Sequence, residues 1–123
     1  MADKLIPIAS FNKSLNNYLR HDFNYDTIYQ STGLKKHIAK RHPDCLLYLD
    51  DLPSIISSPD YIGVNPNENT KSFELVKTIS QNIQVGIKLD IKNDYLYVAT
   101  LHTITEGKLQ HGLSNGRLKK IDK

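Results

Sequence analysis

The stretch Ile83-Gln84-Val85-Gly86-Ile87-Lys88-Leu89 alternates apolar and non-apolar residues without a break. Successive side chains of a strand point to opposite faces, so this pattern predicts a strand with one face buried. Tyr95 to Ile104 follows it, with Leu96, Val98 and Ile104 on one parity, and Asp90-Ile91-Lys92-Asn93-Asp94 lies between. The two segments read as a hairpin turning at Lys92-Asn93. That turn pairs Leu89 with Leu96, Ile87 with Val98 and Val85 with Thr100, so that the apolar side chains meet on one face. His102 shares the parity of Leu96 and Val98 and is expected to be buried and structural.

The opposite face follows by parity. Lys88 is expected opposite Tyr97, and Gly86 opposite Ala99. A further strand, Ser72 to Ile79, joins through a loop at Ser80-Gln81-Asn82, which sets Glu74 beside Lys88. This face therefore carries Glu74, Lys88 and Tyr97 over a floor of Gly86 and Ala99. Antiparallel sheets often leave one face to water, so the face reads either as a site or as an ordinary solvated surface.

The first half supplies the helices. Leu34 and Ile38 share a buried stripe on a short helix, while His37 and Arg41 lie on the neighbouring stripe. Ser31 or Thr32 is the expected cap, and Pro43 ends the helix at His42. Lys35, Lys36 and Lys40 make it basic. Such a helix suits a nuclease or a phosphate-binding surface, and equally a solvated basic face. Asp50-Asp51-Leu52-Pro53 opens a second helix with Leu52, Ile55 and Ile56 inward. Before these, Lys4 to Ala9, with Leu5, Ile6 and Ile8 around Pro7, reads as an edge strand. A helix from Ser10 or Asn12 to Arg20 follows, with Leu15, Tyr18 and Leu19 facing the core. Tyr61 to Val64 reads as a strand, Asn65 to Thr70 as a loop, and the tail as a short helix, a turn at Asn115-Gly116 and a basic segment. The expected architecture is one α+β domain over residues 1–123, with N-terminal helices packed on one face of an antiparallel sheet.

Length and composition agree. The chain has 123 residues, 39% hydrophobic and 24% charged, with net charge +3, which suits one soluble globular domain. The charge is too small to imply nucleic acid by itself. Cys45 is the only cysteine, so the chain can form neither an internal disulfide nor a cysteine-based zinc site, as in a reducing compartment. It lies in an apolar run and reads as a small buried hydrophobe rather than a nucleophile. The N-terminus shows no apolar leader and no stretch nears the ~20 apolar residues of a membrane helix, so a cytoplasmic protein is expected. His37 and His42 are five apart, not the four that would share a helical face, and no His-Glu-x-x-His pattern or Gly-rich phosphate loop occurs. No metal and no cofactor are expected.

Metal-free cleavage of RNA fits the residue inventory. The substrate carries its own nucleophile, the 2′-hydroxyl, and the protein must supply a base, an acid and cations for the phosphate. Histidine suits the first two tasks near neutral pH and arginine the last. An aromatic ring can stack on a base. His37, His42, Arg41, Lys88, Tyr97 and Arg117 provide every part. Against this, His37 can be a core-edge histidine, His42 a helix-terminal one, Tyr97 a packing residue and Arg117 part of a basic tail. His21 and His111 read as surface residues.

Several motifs in order carry a family likeness: Ile28-Tyr29-Gln30-Ser31 through His37, Arg41-His42-Pro43, Pro59-Asp60-Tyr61-Ile62-Gly63 with Asn65-Pro66, Val85 to Lys88, Asp94 to Thr100, and Gly116-Arg117-Leu118-Lys119-Lys120. Together they resemble the phage-associated branch of the barnase–EndoU–colicin–RelE nuclease superfamily over about residues 25–120, with 1–24 a leading strand and helix. The resemblance implies a helix-plus-antiparallel-sheet fold with the active site on the open sheet face. It also implies a metal-independent endoribonuclease acting on tRNA or mRNA, toxin-like or borne by a phage or mobile element. By position, His37, Arg41, His42, Lys88 and Arg117 match the family's functional residues, and Ser114 adds a polar group. Lys40, Tyr97 and Glu74 are expected to help hold substrate. A bacterial toxin of this kind would call for an acidic immunity protein or antitoxin. The alternative is a non-catalytic module of the same fold that binds nucleic acid or protein.

Overall fold

The computed structural model describes residues 4–19, 22–64 and 71–122. Arg20, His21 and the loop expected at 65–70 lie outside the described residues. The strands are β1 Leu5–Ser10, β2 Thr27–Ser31, β3 Tyr61–Gly63, β4 Ser72–Thr78, β5 Asn82–Asp90, β6 Tyr95–Ile104 and β7 Leu118–Lys120. The α-helices are α1 Leu34–Arg41, α2 Leu52–Ser57 and α3 Glu106–Ser114, with 3-10 helices at Lys13–Tyr18 and Pro43–Asp51. The seven strands form one sheet in the order β1-β2-β6-β5-β4-β3-β7. Every pair is antiparallel except β2 with β6. The chain is thus a single α+β unit, as the sequence pattern predicts.

Polar patterning explains the local starts and stops. Asn12 caps the first 3-10 helix, its side chain accepting from the Ser14 N–H at 3.0 Å. The regular helix expected there is a single tight 3-10 segment, because only Leu15 in it is buried. Neither Ser31 nor Thr32 caps α1. The hydroxyl of Thr32 accepts from the Lys4 N–H and that of Ser31 from the Gly33 N–H, which leaves Gly33 as the cap. His42 closes α1, its N–H donating to the Ile38 carbonyl at 2.7 Å before Pro43 takes the chain away.

One sheet face meets α1, α2 and the 3-10 helices. Phe73, Leu75, Ile83, Val85, Ile87, Leu96, Val98 and Leu101 project into this core against Leu34, Ile38, Tyr48, Leu52, Ile55 and Ile56. Phe73 gathers Phe11 and Phe23, with ring centroids at 5.6 and 5.2 Å, and full burial of such a side chain contributes roughly 1.5–3 kcal/mol. Cys45 is buried in the same core. Its thiol is pushed up from the ordinary value, chiefly by that burial. The other face is not wholly open: α3 covers part of it, packing Leu109 onto Val76 and Leu118.

Two expected registers change. Glu74 sits opposite Gly86, and Ser72 opposite Lys88, because the β4–β5 turn closes at Thr78 and Asn82. The slip is two residues, so Glu74 keeps its face. In the β5–β6 hairpin Leu89 pairs with Leu96 and Ile87 with Val98, as expected. Gly86 then pairs with Thr100 and Val85 with Leu101. Ala99 is an extra residue, a β-bulge, and it reverses parity for the rest of β6. Leu101 goes into the core. His102 pairs with Gln84 and goes to the opposite face, half-buried rather than buried.

Candidate active site

The reversal opens a constellation between the sheet and α3. A cleft of about 1100 Å³ is lined by Glu74 from β4, Gln84 from β5, His102 from β6, Lys108 and His111 from α3, and Arg117 and Lys119 at the C-terminal strand, among others. The lining thus carries three fixed cations, one carboxylate and two imidazoles. The excess positive charge suits an anion.

Arg117 follows the turn at Asn115-Gly116, where Gly116 takes φ 82° and the Asn115 side chain accepts from the Arg117 N–H at 2.9 Å. A positive φ of this kind strains any residue with a side chain, so glycine suits the turn. The guanidinium Nη2 reaches Glu74 Oε1 at 2.9 Å. Gln84 Nε2 donates to the other oxygen of Glu74. The same Gln84 nitrogen lies 3.4 Å from His102 Nε2, and His102 Nδ1 lies 3.1 Å from the Thr103 carbonyl oxygen. The His42 ring stands beside His102, centroids 5.4 Å apart. A connected line therefore runs Arg117–Glu74–Gln84–His102–His42.

The expected residues divide three ways. Glu74 and Arg117 are joined in the cleft, and His42 reaches it through His102. Lys88 and Tyr97 pair with each other on the same sheet face but do not line the cleft. Tyr97 belongs to a ladder of rings with Tyr95 and Tyr29, successive centroids 5.9 Å apart. Burial raises the Tyr95 hydroxyl, with Asp90 adding to the shift. His37, Lys40 and Arg41 are exposed on α1 and outside the cleft, and Ser114 is exposed at the end of α3, its hydroxyl donating to the His111 carbonyl at 3.0 Å. The sequence pattern gives no role to Gln84, Lys108 or Lys119, and it reads His102 as a buried structural residue and His111 as a surface one. One signal for His102 was present: the apolar spacing steps from two to three between Val98 and Leu101, as a bulge requires.

A family model described as phage-Barnase-EndoU-ColicinE5/D-RelE like nuclease3 matches residues 7–111. The chain belongs to this nuclease family. The match runs from β1 into α3, so Glu74, Gln84, His102 and His111 of the nuclease fall within it and Arg117 follows it. No curated protein and no solved structure matches. Among the described residues of this nuclease, no three His, Cys, Asp or Glu side chains gather as a set for a metal ion, and no helix is long and apolar enough to cross a membrane.

Close packing at Gly63 seats the arginine of this nuclease. A Cβ there would lie 2.5 Å from the Arg117 carbonyl oxygen and 2.6 Å from Leu118 Cδ2. The first of these is backbone, so β7 must shift to relieve the clash. Gly63→Ala is expected to cost about 1–3 kcal/mol, as overpacking does, and to lower nuclease activity by displacing Arg117. Thermal unfolding and a nuclease assay on the same sample check both.

Proposed function

We propose that this nuclease is a metal-independent endoribonuclease whose reaction runs in the cleft between the sheet and α3. The observation that carries the reading is that two imidazoles, His102 and His111, line one cleft together with Arg117, Lys108 and Lys119. One imidazole takes the proton of the 2′-hydroxyl as that oxygen attacks phosphorus. The other gives a proton to the 5′-oxygen as the P–O5′ bond breaks. The products are a 2′,3′-cyclic phosphate and a 5′-hydroxyl. Arg117 and the lysines hold the charge that builds on the phosphoryl oxygens. Glu74 keeps the guanidinium aimed, and His42 supports the His102 ring.

Residues beyond the cleft extend the grip. Lys88 and the ladder of Tyr29, Tyr95 and Tyr97 suit the backbone and bases of an RNA strand leaving the cleft along the sheet. Lys40, Arg41 and His37 meet phosphates on the α1 side, with Ser114 at the far rim. The substrates proposed are tRNA or mRNA in a bacterial cytoplasm, the setting of a toxin. The matching partner is an acidic immunity protein or antitoxin that covers the cations.

Purified protein incubated with total RNA, and with tRNA, in excess EDTA should produce fragments ending in 2′,3′-cyclic phosphate. Intact RNA with only salt-sensitive retention would make the protein a binding module instead. Cleavage that disappears with the chelator would make it a metal-dependent nuclease.

A further inference from the structure

We infer that Gln84 is a positioning residue that holds the His102 proton on Nδ1 and leaves its Nε2 lone pair toward the cleft, so that His102 acts as the base. The assignment runs from one end of the line. A carboxylate paired with a guanidinium only accepts, so the group of Gln84 that meets Glu74 Oε2 is its NH2. That nitrogen has no lone pair to offer, and its second N–H points to His102 Nε2 at 3.4 Å. Nε2 must then be the acceptor. Nδ1 lies 3.1 Å from the Thr103 carbonyl oxygen, which also only accepts, so Nδ1 carries the hydrogen. Both ends of the ring fix the same tautomer.

The consequence is chemical. A neutral imidazole with Nε2 bare toward the cleft can take a proton but has none to give there. The contact of 3.4 Å is long for a hydrogen bond, so a substrate hydroxyl donating at normal distance can replace the amide. Within the ribonuclease reading, on which this inference rests, His102 takes the 2′-hydroxyl proton on Nε2 and His111 protonates the 5′-oxygen. Gln84 is well placed for the task because it is buried, with 8% of its surface exposed. Its amide is held by Glu74, and Glu74 by Arg117. The tautomer therefore depends on a chain of contacts reaching the phosphate-binding arginine.

Nitrogen-15 spectra of the histidine rings, taken above the imidazole titration, read the tautomer directly. In the wild-type protein His102 should show a protonated Nδ1 and a bare Nε2. Gln84→Met, which keeps the length and loses the donor, should let the Nε2-protonated form appear beside the Nδ1-protonated form that the Thr103 carbonyl still favours. It should also lower kcat for RNA by at least about tenfold with KM unchanged, part of the ~100- to 10,000-fold that a positioned base supplies. A wild-type ring protonated on Nε2 overturns the inference, and so does a variant whose ring pattern or kcat stays as in wild type. The wild-type spectrum decides alone if the variant does not fold. Because the spectrum does not depend on turnover, a protein that cuts no RNA yet shows the expected tautomer would sink the ribonuclease reading and the base role, not the assignment of the proton.

Discussion

Replacing His102 with alanine is expected to lower kcat for RNA cleavage by about 100- to 10,000-fold, the usual loss when a positioned acid or base is removed, while RNA still binds. Binding should persist because the cations of the cleft, Lys108, Arg117 and Lys119, are untouched. The fold should persist because the ring lies on the half-covered face, and its Nδ1 bonds the neighbouring Thr103 carbonyl. Far-UV circular dichroism and a filter-binding titration check those two conditions. The control is His37→Ala. That residue is exposed on α1 and lines no part of the cleft, so kcat should stay near wild type and only the affinity for RNA should fall. His42→Ala should fall between the two, since its ring packs on His102 at 5.4 Å. The sequence pattern alone favours the reverse order, with His37 and His42 as the proton carriers. Measured kcat values for the three variants thus separate a reaction in the cleft from one on α1.

That difference shows what a periodicity argument can carry. Alternation located β5, set the hairpin register as far as Ile87 and Val98, and chose the correct face for Glu74 despite a slip of two residues. It failed at Ala99, because a bulge adds one residue to one strand and inverts every later side chain. His102 followed its parity into an expected core that the chain had already left. For α1 the limit is different. Leu34 and Ile38 are its buried residues, so the helix offers a narrow seat, and a residue beside that stripe can face either the core edge or solvent. The spacing 34, 37, 38, 41 does not choose. Nor does local pattern bring Glu74 to Arg117, 43 residues away. Their meeting needs β3 to lie between β4 and β7, a long-range pairing that neither segment announces. Each residue is nevertheless legible singly, one as a carboxylate on an open sheet face and the other as an arginine in the likeness to the nuclease superfamily.

Arg117→Ala is expected to lower kcat by about 100- to 1,000-fold, the range for losing one preorganised donor at a developing anion. Arg117→Lys should recover little of it. The reason lies in the division of the guanidinium's donors. One nitrogen, Nη2, is committed to Glu74 Oε1 at 2.9 Å, yet the side chain remains 40% exposed, so part of the fork is free to face a phosphate. Arginine presents five N–H groups in a rigid plane and can meet a carboxylate and a phosphoryl group together. Lysine concentrates its charge at one atom on a flexible stem. At position 117 it must choose between Glu74 and the substrate, and the nearer permanent carboxylate competes with every turnover. Adding Glu74→Gln to Arg117→Lys removes that competitor, so the double variant should cleave faster than Arg117→Lys alone even though each change is harmful by itself. Single-turnover cleavage of one RNA by the four proteins of this cycle measures the coupling. If Arg117→Lys is as active as wild type, a point charge suffices, and the arginine is held by Glu74 for the sake of β7 rather than for the phosphate.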